Sequence, residues 1–265
     1  MQRSGWLTAS LALAVLLALG FWSYRARVSS VAPGGSGGRE TALVVAPATP
    51  PSEPNTPTVN LKLLSIALVN WMDDERRGRV PTPAKATASQ LPSERRLGWM
   101  TRLLPYMGRT DLASQLHGAG VSGEDVPWDD PSNRPVIDTV LEMLLTADMK
   151  DRELKRDGEG RALTGYVGLG GVGGDASASL RSRGFFADGR PARLDEIKDG
   201  LSNTAAMIEV RRDFGPWARS GASTVRPIEA FEGGLVLMAD GSVRTMAAGA
   251  DPKVLRSMAT ISAGD

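Results

Sequence analysis

The residues that could do chemistry are mostly carboxylates, and they sit in glycine- and proline-rich surroundings. Gly233-Gly-Leu-Val-Leu-Met-Ala-Asp-Gly-Ser-Val-Arg-Thr-Met246 places an aspartate among small residues, as many active-site loops do. Asp240-Gly241 lies between two apolar runs, however, and Asp-Gly in a two-residue hairpin loop supplies the positive φ values of a type I′ turn. The stretch therefore reads as a turn first, with Ser242 and Arg244 on one face and Val243 on the other. A second acidic stretch, Gly123-Glu-Asp-Val-Pro-Trp-Asp-Asp-Pro-Ser-Asn133, gathers Glu124, Asp125, Asp129 and Asp130. Oxygen-rich loops of this kind can hold calcium. The alternating spacing of an EF-hand loop is missing and prolines limit convergence, so a solvated loop anchored by Trp128 is the favoured reading.

Other chemistries lack their parts. The chain has no cysteine and a single histidine, His117. Zinc-thiolate sites, iron–sulfur clusters, disulfides and multi-histidine metal centres are thereby excluded. Serine nucleophiles need an adjacent base, and His117 lies in Gln-Leu-His-Gly-Ala-Gly, a helix end where it would complement the dipole. Gly165-Tyr-Val-Gly-Leu-Gly-Gly-Val-Gly-Gly174 ends at Asp175 instead of the Lys-Ser/Thr of a phosphate loop. No apolar helix follows it, as a dinucleotide fingerprint would require. It reads as a flexible loop flanking a strand, with no nucleotide. No cofactor is expected, and nothing argues for an enzyme; paired carboxylates acting as acid and base are the weaker alternative.

Charge argues against nucleic acid. Formal net charge is +1 over 265 residues, with 31 Lys+Arg and 30 Asp+Glu. Residues 1–40 carry four arginines and one glutamate, which leaves 27 basic and 29 acidic residues for the remainder. A phosphate-neutralising domain would need a basic face.

Three regions differ in texture. Ser4 to Tyr24 is a run of 21 uncharged residues between Arg3 and Arg25, about the 20 that a helix needs to cross ~30 Å of hydrocarbon. Trp6, Trp22 and Tyr24 stand near its ends, where amphipathic rings favour the interface. A cleaved signal peptide shares this layout, but Ala18-Leu19-Gly20 runs into bulky Phe21 and Trp22, a poor cleavage site. Residues 1–27 are expected to be an uncleaved single-pass transmembrane anchor meeting the lipid bilayer through residues 5–24. The expected site is the inner (cytoplasmic) membrane, with the C-terminal body extracytoplasmic, although the flanking charges nearly balance. Residues 28–57, with six prolines and four glycines between Pro33 and Pro57, read as a solvated linker. Extended at ~3.1 Å per residue it would reach about 90 Å.

The body, residues 58–265, reads as helices followed by strands. Leu61, Leu64, Leu68 and Trp71, with Ile66 and Val69 alongside, predict a mostly buried helix of about four turns, capped by Thr58 or Asn60. Helical pieces interrupted at Pro105 and Gly108 span 97–116, and Val136, Val140, Leu141, Leu144 and Leu145 predict one further helix over 134–149. Short strands are expected at Leu163–Leu169, Gly184–Ala187, Ala205–Val210, Leu235–Ala239 and Ser242–Met246. Asp251-Pro252 opens a closing helix. The class is α+β, with helix packed on one face of an antiparallel β-sheet.

Several stretches, in order, resemble the bacterial family called domain of unknown function 1559. Asn60-Leu-Lys-Leu-Leu-Ser-Ile-Ala-Leu-Val-Asn-Trp71 resembles its first soluble helix, and Gly98-Trp-Met-Thr-Arg-Leu-Leu-Pro-Tyr-Met107 and Pro127-Trp-Asp-Asp-Pro-Ser-Asn133 its next signatures. Asp199-Gly-Leu-Ser-Asn-Thr204 leading to Glu209 is similar to its Asp-Gly-x-Ser-Asn-Thr and strand glutamate. Ala239-Asp-Gly-Ser-Val-Arg244 resembles its hairpin, and Thr260 to Asp265 its ending. The resemblance spans about residues 60–265 and implies a pseudopilin-like, membrane-anchored, exported α+β domain without an established activity. Asn60, Trp128, Asp199, Gly200, Asn203, Glu209, Asp240, Gly241 and Ser242 fall on motif positions and read as turn and network residues.

Departures from the family matter as well. Ser4-Gly5-Trp6-Leu7-Thr8-Ala9 only echoes a prepilin peptidase site and lacks its glutamate. The family's frequent cysteines and its histidine upstream of the hairpin are missing. The linker separates the anchor from the first soluble helix, which pilins keep continuous. The expected role is a membrane-tethered, non-catalytic binding or structural module of the cell envelope, with other envelope or secretion proteins as candidate partners. A minor pseudopilin of a type II secretion or type IV pilus-like machine is the alternative.

Overall fold

A computed structural model describes residues 56–74, 80, 90–118, 126–173, 182–186 and 192–262. The expected anchor and nearly all of the linker lie outside these residues, as do Glu124, Asp125 and Ala187.

Helix α1, Pro57–Asp74, opens on a proline at its first position, where the missing N–H costs nothing. Thr56 caps it, its Oγ1 accepting from the Val59 N–H at 3.4 Å, so the cap stands before the expected Thr58 or Asn60. Leu61, Leu64, Leu68, Trp71 and Met72 are buried on its inner face. Each such side chain contributes roughly 1.5–3 kcal/mol relative to exposure. Ile66 and Val69, expected inside, are exposed.

The chain then proceeds in short turns. Trp99–Leu103 and Pro105–Met107 are 3-10 segments, and α2, Thr110–Ala113, follows the left-handed Gly108 at φ +74°. The interruptions fall where Pro105 and Gly108 predict them. The continuous helix expected over 134–149 is instead α3, Arg134–Ile137, a 3-10 turn at Glu142–Leu144, and α4, Ala147–Asp151. Tertiary partners take the carbonyls that a longer helix would need. Ala162 N–H donates to Ile137 O, Trp217 Nε1 to Thr139 O, and Gly165 N–H to Leu144 O, at 3.1, 3.1 and 2.9 Å. Thr146 Oγ1 then caps α4 by accepting from Met149 N–H.

Strands β1, Leu163–Thr164, and β4, Gly215–Pro216, form a small antiparallel pair. The main sheet comprises β2 (Tyr166–Gly171), β3 (Ala205–Glu209), β5 (Val225–Pro227), β6 (Gly234–Met238) and β7 (Val243–Met246). Its order is β5-β2-β3-β6-β7. All neighbours are antiparallel except β2 and β5, which run parallel with Gly168 beside Val225, so the sheet is mixed where an antiparallel one was expected. Gly184–Phe186 is no strand, although its backbone touches β2: Gly184 and Phe186 N–H donate to Gly170 O and Leu169 O.

Both sheet faces are covered, not one. Helix α1 packs over β6 and β7, and α5, Pro252–Ala259, packs over β2 and β3. Alternation along the strands serves both layers. Tyr166, Met207 and Leu237 join the α1 side, while Val167, Leu169, Ile208 and Val236 join Met258 and Ala259 of α5. As expected, Asp251 caps α5, accepting from Lys253 N–H at 2.8 Å, with Pro252 at the first position. The class is α+β.

Candidate functional site

The motif residues do not collect in one place. Two stretches far apart in sequence do meet: the Asp199–Thr204 turn and the β6–β7 hairpin. In the turn, Gly200 adopts φ +88° and its carbonyl accepts from Asn203 N–H, Thr204 N–H and Thr204 Oγ1. Asn203 Nδ2 donates back to Asp199 O at 3.0 Å. A short polar loop thus satisfies its own backbone before β3 begins.

The hairpin has a three-residue loop, not the expected two. Met238 N–H donates to Ser242 O, and Gly241 N–H to Met238 O. Gly241 alone carries positive φ, +84°, the geometry of a type I turn closed by a glycine bulge. Asp240 is held on the right-handed side because its Oδ1 accepts both Ser242 N–H and Ser242 Oγ, at 2.9 and 2.6 Å. The hairpin is stitched to the turn: Ala239 N–H donates to Thr204 O, Asp240 N–H to Leu201 O, and Arg244 Nη2 to Ser202 O. Helix α1 closes the junction from above. A Cβ on Gly241 would stand 2.8 Å from Ser65 Oγ.

Glu209 builds a second junction at the opposite end of the same strand pair. Its Oε2 accepts Leu235 N–H at 2.9 Å. Gly233 and Gly234 approach at φ +89° and +129°, and a Cβ on Gly234 would lie 2.8 Å from that same oxygen. Tyr166, opposite Glu209 in the β2–β3 register, is fully buried and its hydroxyl has no hydrogen-bond partner. Burial, with the nearby Glu209 charge adding to it, pushes the Tyr166 phenol well above its ordinary value.

Asn60 lies in the first turn of α1, buried, with its Nδ2 unpartnered. Trp128 is buried, and the Arg161 and Arg219 guanidinium groups sit 5.1 and 5.8 Å from its ring centroid. That anchors the Trp128 segment as the sequence predicts, with cation–π contacts as the added means. Asp129 pairs with Arg95 at 3.2 Å, and Asp130 turns on itself to accept Ser132 N–H and Oγ. Ser132 in turn holds the Asp130 carboxyl below its ordinary value. No group of three His, Asp or Glu side chains with metal-holding geometry occurs among the described residues. His117 is exposed, its backbone clasped by the buried Asn133, which accepts His117 N–H and donates to His117 O.

The glycine run is a correction. Tyr166–Gly171 is a fully buried strand inside the sheet; a strand was expected as far as Leu169, and Gly170 and Gly171 continue it where a loop was expected. Its glycines make room for neighbours: a Cβ on Gly168 would meet the Phe186 ring at 2.7 Å, and one on Gly165 would meet Thr146 Cγ2 at 2.4 Å. Phe186 in turn stacks on Trp99, ring centroids 4.4 Å apart.

Chemically, one oxygen of each carboxylate serves as a structural acceptor, Glu209 Oε2 for the Leu235 N–H across the sheet and Asp240 Oδ1 for Ser242 in its own turn. Two partners escaped the sequence reading. Tyr166 opposite Glu209 had no signal without the strand register. Arg226 donates to Ala222 O at 2.9 Å, to Arg212 O at 3.2 Å and to Asp213 O, and a basic residue beside a proline does not announce such a role.

A family model described as Protein of unknown function (DUF1559) matches residues 58–227, more than half of the chain. The match takes in α1 through β5 and the Asp199–Glu209 motifs, and ends before the β6–β7 hairpin. No curated protein and no solved structure matches the chain.

Proposed function

The chain belongs to the DUF1559 family, and from that premise we propose that it is a membrane-tethered, extracytoplasmic, pseudopilin-like module that binds or organises other envelope proteins and catalyses no reaction. The observation that carries the reading is the uncharged run Ser4–Tyr24 followed by a proline- and glycine-rich stretch and then a self-contained body beginning at Pro57. An apolar run of this length suits a single bilayer crossing. Among the described residues no helix is long and apolar enough to cross a membrane, and the run assigned to the crossing here lies N-terminal to them.

The body supports the non-catalytic part. Its motif carboxylates Glu209 and Asp240 each use one oxygen to hold donors of the fold itself, a structural role that supports this reading over acid–base work. The long helix on a sheet whose last two strands form a hairpin supports the pseudopilin-like description. Membrane fractionation with alkaline extraction, followed by protease treatment of spheroplasts, tests the proposal. The chain should stay with the membranes and its body should be digested. Cleavage by prepilin peptidase, or co-purification with filaments, would instead make it a minor pseudopilin.

A further inference from the structure

Helix α1 leaves an apolar stripe on its outer face. Among the described residues four large apolar side chains are exposed, and three of them, Leu63, Ile66 and Val69, at 45, 45 and 37%, belong to α1. Residues three apart on a helix are neighbours, so the three form one slanting stripe opposite the buried row of Leu61, Leu64 and Leu68. Lys62 and Asp73 bracket it, both exposed. Neither takes part in an ion pair among the described residues. Three helical turns separate them, so the two charges share one side of the helix, ~16 Å apart.

The centre of the pattern is its own complement, with Leu63, whose symmetric mate is the buried Met72, flanking it. Positions 62 and 73 are symmetric about the same midpoint as positions 66 and 69. In an antiparallel pair of α1 helices with Ile66 opposite the partner's Val69, Lys62 falls opposite the partner's Asp73, and the same contact recurs at the other end. We infer that this face of α1 is the contact surface for a second copy of the chain, joined antiparallel about a two-fold axis. Such an axis requires that when one residue meets another, the reverse contact also forms. A parallel pairing would set Lys62 against Lys62 and Asp73 against Asp73, so the charges select the antiparallel one. Two 18-residue helices, each ~27 Å long, bury less than the ~1,600 Å² of a standard interface. The association is therefore weak and reversible.

A chain without cysteine makes the test clean. Ile66→Cys in the full chain, held in mild detergent, is treated with a short bismaleimide at several protein concentrations. Val254→Cys, exposed on α5, is the control. The expected result is a concentration-dependent crosslinked dimer for Ile66→Cys and none for Val254→Cys. Adding Lys62→Glu, or adding Asp73→Lys, lowers the dimer yield roughly ten-fold as two attractions become repulsions. Combining both reversals restores it. Both positions are exposed, so circular dichroism and melting should be unchanged. The inference is overturned if Ile66→Cys stays monomeric, if it crosslinks no better than Val254→Cys, if Lys62→Glu leaves its yield unchanged, or if the double reversal fails to restore the dimer.

Discussion

Glu209, the last residue of β3, accepts the backbone N–H of Leu235 in β6 at 2.9 Å, and Gly234, just before Leu235, makes room for that carboxylate. A side chain thus substitutes for a ladder carbonyl where the backbone turns through positive φ. Glu209→Ala leaves a partly buried N–H unsatisfied, which costs about 1–3 kcal/mol. The melting temperature should fall by about 2–4 °C per kcal/mol for a body of this size, read by calorimetry. Gly234→Ala should cost at least as much, because φ +129° strains any Cβ before the contact with Glu209 Oε2 is counted. An unchanged melting temperature for both variants would contradict the assigned role.

Tyr166 offers a test with the opposite sign. Its hydroxyl is buried without a partner, so Tyr166→Phe should leave stability unchanged or raise it by about 1 kcal/mol. The phenol is raised above its ordinary value in the folded chain. Below pH ~10 both states hold the proton and its contribution is complete; as pH rises through the folded value that contribution is lost. Denaturant melts between pH 8 and about 11 should therefore slope downward less for Tyr166→Phe than for the parent. Equal slopes would contradict the shift.

Gly168 faces the Phe186 ring, with 2.7 Å available to a Cβ. Gly168→Ala forces the ring off Trp99 or bends β2, an overpacking cost of about 1–3 kcal/mol. Near-ultraviolet circular dichroism should lose part of the Trp99 signal along with stability. A silent Gly168→Ala would mean that the strand does not lie against Phe186.

Arg226 spreads one guanidinium over the carbonyls of Ala222, Arg212 and Asp213, the last a non-glycine residue at φ +53°. Burial pulls its pKa down, yet the carbonyls keep a use for the charge. Arg226→Ala should destabilise by about 2–3 kcal/mol, since hydrogen bonds to charged groups are the stronger kind. Arg226→Lys should recover little, because a lysine cannot span the same fork. Chemical denaturation of both variants reads the result, and full recovery by lysine would contradict the geometry.

The sequence carried some of this plainly. Leu61, Leu64, Leu68 and Trp71 mark a helix because one periodicity and one buried face coincide, and Asp251-Pro252 marks another through its cap. Asp240-Gly241 marks a hairpin, but loop length depended on Ala239 and Asp240 docking onto the Thr204 and Leu201 carbonyls, which no local pattern encodes. Residues 134–149 have helical spacing throughout; the breaks come from donors supplied by Ala162, Gly165 and Trp217. The glycine run misled because flexibility and close packing use the same residue, and only Phe186 and Thr146 show which applies. Of the motif residues, Asp199, Asn203 and Asp240 were legible as turn formers. Glu209 was legible as a position, but its partner lay 26 residues away.

Tethering of the body through the N-terminal run is tested by following the full chain through fractionation. After alkaline extraction it should remain in the membrane pellet, and protease added to intact spheroplasts should remove the body from Pro57 onward. Recovery of the full chain in the soluble fraction, or a body protected from external protease, would contradict the account.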